Sequence, residues 1–235
     1  MKNFKIVLLI LPLLGISCSQ EMAEEIAGAQ IIAYGGREEV AGAANPANPQ
    51  DSAGRLHNEI LEALEEYDLK VQSVAGIAAI VDSTAATFPA VGLACGNAPL
   101  PARVAAIEAL ANGSSSLADV LEALAMGAAA KASILNFANS MELIGDDPYD
   151  GIWLAVIAYE AGVLESSAFS AGEKEVMLAA ASVVRYSVQR KKRKDKDWET
   201  SVSIAAVVSG EGESLCSRLK LAAAVSLCRE NGILK

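Results

Sequence analysis

Alanine fills 44 of the 235 positions, and this decides most of what the chain can fold into. It has the best helix propensity of any residue and is depleted from strands. A side chain that ends at Cβ also lets helix axes approach closely. Apolar residues make up 52% of the chain and charged residues 20%. That balance excludes disorder along the whole chain, and the length excludes a disulfide-held miniprotein. The expected fold is all-α, an alanine-rich bundle of roughly six to eight helices.

The apolar spacing agrees. Leu56, Ile60, Leu61, Leu64 and Tyr67 recur at helical intervals, with Glu59, Glu62, Glu65 and Glu66 between them. A second stripe follows from Val71 to Val81. Pro101 opens a short helix that ends at Asn112-Gly113. Ser116 with Asp119 marks the start of a long helix reaching towards Gly145, and Ser170 with Glu173 forms a capping box for another. Asp147-Pro148 starts the helix between them, with Gly162 as its weak point. Ser201 to Val208 reads as either a short helix or a strand. Leu215 to Cys228 is the last helix, stopped at Asn231-Gly232. No segment keeps the two-residue alternation of a half-buried sheet, and no fixed repeat emerges.

The first residues read as an address. Lys2 and Lys5 precede the apolar run Ile6–Leu14, which only Pro12 interrupts; small residues and Cys18 follow. This is the layout of a secretory signal peptide, and the run falls short of the roughly 20 apolar residues a membrane-spanning helix needs. Leu14-Gly15-Ile16-Ser17-Cys18 resembles a bacterial lipobox. The resemblance implies cleavage before Cys18, a diacylglycerol thioether on its sulfur and a further acyl chain such as palmitate on the new N-terminus. Several chains anchor a protein stably where one does not. The acidic stretch Gln20–Glu25 after the cysteine is similar to that of Bacteroidota lipoproteins, which implies an outer-membrane location, on the periplasmic or the surface side.

Three domains are therefore expected: a signal peptide over 1–17, a lipidated N-terminus and flexible tether over 18–48, and a helical domain over 49–235. Cleavage removes two bases and no acid, taking the net charge from −10 to −12. Such acidity argues against nucleic acid or anionic headgroups as the main partner.

The only histidine lies in Asn48-Pro49-Gln50-Asp51-Ser52-Ala53-Gly54-Arg55-Leu56-His57-Asn58. This stretch resembles an NP-x-D-x-x-G-x-x-HN segment of uncharacterised Bacteroidota lipoproteins, on Asn48, Pro49, Asp51, Gly54, His57 and Asn58. The resemblance carries no known activity, but it supports the same location. Locally, Asn48 reads as a helix cap, Pro49 as a first-turn residue and Asp51 as an acceptor for free amides. His57 has two readings. In one it fixes the first helix against a neighbouring loop through hydrogen bonds, with Asn58 helping. In the other it is a general base or ligand, with Asp51 or Asn58 orienting it.

Other motifs are weaker. Ser217 and Lys220 satisfy the SxxK spacing of some acyltransferases, but the SDN and KTG partners are missing. Asp146–Gly151 hints at a calcium loop, yet puts Pro148 at the third ligand position and Ile157 at the twelfth. No metal or cofactor is expected. Arg190, Lys191, Lys192, Arg193 and Lys194 form a basic run, either a patch for an anionic lipid, glycan or acidic partner, or the cationic end of a helix. Cys216 and Cys228 stand too far apart on one helix to bridge, so Cys95 pairs with one of them or all three stay free thiols. The expected role is a lipid-anchored, non-enzymatic binding or structural module with an envelope protein or glycan partner. The alternative is a hydrolase-like envelope enzyme centred on His57.

Overall fold

The computed structural model describes residues 42–65, 67, 69, 72–87, 99–144, 149–194 and 200–233, without the side chains of 101 and 191–194. The described residues are helical, as the composition predicts, and contain no strand. In chain order the helices are α1 (Asp51–Ala63), α2 (Val74–Ala85), α3 (Val104–Ala111), α4 (Leu117–Ala123), α5 (Ala128–Leu143), α6 (Tyr149–Glu165), α7 (Ala171–Lys194), α8 (Thr200–Val208) and α9 (Leu215–Glu230), with a 3-10 turn at Leu100–Arg103 leading into α3.

Two helices form the centre. In α9, 13 consecutive residues from Cys216 to Cys228 are buried, and α7 is buried almost continuously from Val176 to Val188. A helix covered on every side needs side chains that admit neighbours all round. The alanine triplets Ala179–Ala181 and Ala222–Ala224 supply them, at no more than 2% exposure. Helix α1 packs on α7 and α9, α6 packs on α7, and α8 packs on both central helices. Helices α2 and α3 cover α9, while α4 and α5 lie against α8. No helix among the described residues is long and apolar enough to cross a membrane.

Most helix ends fall where the sequence puts them. Ser116 and Asp119 form a reciprocal capping box, as do Ser170 and Glu173. Gly113 and Gly232 take positive φ angles of 75° and 62° after α3 and α9. The Ile233 amide reaches back to the Cys228 carbonyl and the Gly232 amide to that of Arg229, closing α9 as a Schellman motif. Ser201–Val208 is helical, and α6 runs through Gly162 without a break.

The long helix expected from Ser116 is instead two. The chain turns extended at Leu124 and restarts at Ala128. The amides freed by the break find carboxylates from elsewhere. Glu211 accepts from the Ala125 amide at 3.0 Å, and Glu173 from the Gly127 amide at 2.7 Å.

The compact unit begins at Gly42. Residues 43–48, which the sequence assigns to the tether, are packed into it: Ala43, Asn45 and Asn48 are all buried. Hydrogen bonds to the body stand in for regular structure there.

Candidate functional site

The Asn48–Asn58 segment enters and follows α1; Asn48, Asp51 and Asn58 bond across to α6 or α7, while Ser52 and Arg55 face outward. At the centre stands Glu160 of α6, completely enclosed. Burying a carboxylate is costly unless its lone pairs are met. Here the Asn45 side-chain amide donates to Oε2 at 2.6 Å, and the Asn48 amide donates to Oε1 at 2.6 Å. Arg185 of α7, equally enclosed, donates from Nη2 to the same Oε1 at 3.1 Å.

Asp51 lies on the other side of Arg185. Its Oδ1 accepts from Arg185 Nη2 at 2.7 Å and from the Asn45 backbone amide at 2.9 Å. Its Oδ2 accepts from the Tyr186 hydroxyl at 3.1 Å. Asp51 therefore does not cap the free amides of its own helix, as the sequence suggests; it bonds across the seam instead. Burial, then the Asp51 charge, pushes the Tyr186 phenol up to about 12, so it stays protonated and keeps donating. Asn48 works as an Asx turn, its Oδ1 accepting from the Gln50 amide at 2.7 Å. No side chain caps α1.

At Gly54, α1 lies tight against the α7 backbone. Its amide donates to Ser182 Oγ at 3.0 Å, and that hydroxyl donates to the Asp51 carbonyl at 2.8 Å. A Cβ at Gly54 would sit 2.3 Å from the Ser182 carbonyl oxygen. Only glycine fits.

His57 lies one turn further on and is fully buried. Neither ring nitrogen makes a hydrogen bond; the Asn58 side chain and the Ala222 backbone are polar neighbours that do not reach bonding geometry. Burial, then the Arg190 charge, lowers its pKa from 6.5 to about 4. The ring is neutral at pH 7 and holds α1 by packing, not by the hydrogen bonds the sequence suggests. Asn58 does use one: its amide donates to the Tyr186 carbonyl at 2.8 Å.

Arg190, expected in an exposed basic run, is buried. Its Nη1 donates to Glu230 at 2.7 Å and its Nη2 to Glu65 at 3.2 Å, tying α7 to the end of α9 and the turn after α1. Lys191, Lys192, Arg193 and Lys194 form the last turn of α7, and their side chains lie outside the described residues. Cys18 and Cys95 lie outside them too. Cys216 is disulfide-bonded and Cys228 is a buried free thiol.

The SxxK pair is taken up elsewhere. Ser217 Oγ bonds Ser214 Oγ at 3.1 Å, and Lys220 donates to Asp82 at 2.5 Å. Among the described residues no group of three His, Cys, Asp or Glu side chains is placed to hold a metal ion. Two clefts open elsewhere on the body. One, of about 400 Å³, lies between the α4–α5 turn, the start of α7 and the α8–α9 turn. The other, of about 430 Å³, lies between the α3–α4 turn, α5 and α8. Neither is lined by a residue of the Asn48–Asn58 segment.

Sequence reasoning picks out Asp51, His57 and Asn58 but misses Glu160 and Arg185. In sequence these are lone charges within apolar stretches, Trp153–Val163 and Val176–Val188, and that isolation was the available signal. No family model matches the chain, and no curated protein or solved structure matches it.

Proposed function

We propose that the chain is a lipid-anchored protein of the bacterial cell envelope, whose helical body is a non-enzymatic binding or structural module. The observation that carries the second part is the fate of the Asn48–Asn58 segment. Its Asn48, Asp51 and Asn58 side chains are spent on bonds to α6 and α7, and its histidine is fully enclosed. A general base must come within hydrogen-bond reach of a substrate proton. His57 has no such opening, which weighs against the hydrolase-like alternative.

Two features support the location. Leu14–Cys18 resembles a lipobox, and Cys216 is disulfide-bonded. Structural disulfides form and persist in oxidising compartments and are rare in the cytosol. The direct test is Cys18→Ala expressed in a bacterial host with labelled palmitate. Loss of label and accumulation of the uncleaved precursor are expected. A variant processed normally into a soluble form would refute the anchor.

A further inference from the structure

His57 sits where α1, α7 and α9 meet. The ring is enclosed, neither nitrogen is hydrogen-bonded, and the neighbouring Asn58 Oδ1 is also buried without a partner. The charged groups that act on it are Arg190 from α7 and Glu230 from α9. Glu65, just beyond α1, meets the same Arg190 guanidinium. That guanidinium is itself only 5% exposed.

We propose that His57 is an acid-operated release point for α1: a proton on its ring sets a second cation beside Arg190 in an enclosed seam and frees α1, with the Gly42–Gln50 segment it carries, from α7 and α9. The imidazolium has two N–H donors, and the polar groups nearest them, Asn58 Oδ1 and the Ala222 backbone, stand outside bonding geometry in the closed seam. Two enclosed donors that meet no acceptor in bonding geometry, next to a like charge, are relieved when the ring reaches water.

The direction follows from proton uptake. In the released state the ring titrates near its ordinary 6.5, whereas in the closed seam it resists protonation down to about 4. Above 6.5 both states are neutral and His57 exerts no pH effect. As the pH falls from 6.5 to 4, only the released state takes up the proton, so release is favoured about tenfold per pH unit. Over the whole window this amounts to roughly 300-fold. Below 4 the effect levels off.

The chain has one histidine, so one imidazole resonance reports the event without ambiguity. The test follows that resonance by NMR from pH 7 to 4 in the purified protein, together with amide hydrogen exchange in α1, corrected for intrinsic exchange rates. The same measurements are made on His57→Asn and Arg190→Gln. The wild type is expected to lose α1 protection progressively below pH 6.5 relative to His57→Asn, approaching a 300-fold difference near pH 4. Arg190→Gln removes the repelling charge and is expected to move the ring titration upwards. Should His57→Asn fail to fold, the wild type alone decides: ring protonation coinciding with loss of α1 protection supports release. A ring that titrates near 6.5 while α1 stays protected overturns it, as does an equal loss of protection in His57→Asn.

Discussion

Two of the glycines inside helices, Gly54 and Gly162, predict opposite outcomes for the same substitution. Gly162, on the open side of α6, has nothing within 4 Å of an added Cβ. Gly162→Ala is expected to stabilise the protein by about 0.5–1 kcal/mol, the difference in helix propensity between the two residues. Gly54 gains the same propensity but loses more. A Cβ there would meet the Ser182 carbonyl oxygen at 2.3 Å, its carbonyl carbon at 2.7 Å and the Tyr186 ring at 2.5 Å. Backbone cannot swing aside as a side-chain tip can. Gly54→Ala should therefore cost about 2–3 kcal/mol net, read as a lower midpoint in urea unfolding. Equal effects at the two positions would mean that α1 and α7 are not in close contact. In sequence the two glycines look alike; what separates them is a partner 128 positions away, which local pattern does not show.

At the scale of elements, Glu173 ties two helix starts together. Its Oε2 accepts from the Ser170 amide at 2.7 Å and its Oε1 from the Gly127 amide at 2.7 Å. These bonds hold its carboxyl below the usual carboxylate range, the Ser170 backbone contributing most. Glu173→Ala should destabilise the protein by about 1–2 kcal/mol, more than a single lost cap and close to two. Hydrogen exchange should rise at the start of α5 as well as at α7; a rise confined to α7 would contradict the shared cap. The capping box is legible in the sequence because Ser170 and Glu173 are three residues apart. The bond to Gly127 is not, since it spans 46 positions. The same limit explains the missed break between α4 and α5. Nothing from Ser116 to Leu143 but Gly127 interrupts a helical pattern, and the carboxylates that make the break tolerable come from α7 and the α8–α9 turn.

For the whole molecule, the cysteines offer a check on both covalent structure and location. Cys216 is bonded and Cys228 is free. If Cys18 carries the proposed lipid, Cys95 is the cysteine left to pair with Cys216. The mature protein should then show no reactive thiol when native, because burial pushes the Cys228 thiol up to about 12. It should show one thiol when unfolded without reductant and three after reduction. Three without reductant would contradict the bridge. The bonding of Asn45 and Asn48 to Glu160 matters more at this scale, since it decides where the body begins. The sequence places Asn45 and Asn48 in the tether, with Asn48 as its last residue and the cap of the first helix. Their side chains instead close on Glu160, 115 and 112 residues away, making the segment part of the fold. A double-mutant cycle of Asn48→Ala and Glu160→Ala, measured by urea unfolding of the full chain, tests this most directly. Hydrogen bonds to an enclosed carboxylate predict a coupling energy of about 1.5–3 kcal/mol. Effects that add to within about 0.5 kcal/mol would contradict it and return residues 43–48 to the tether.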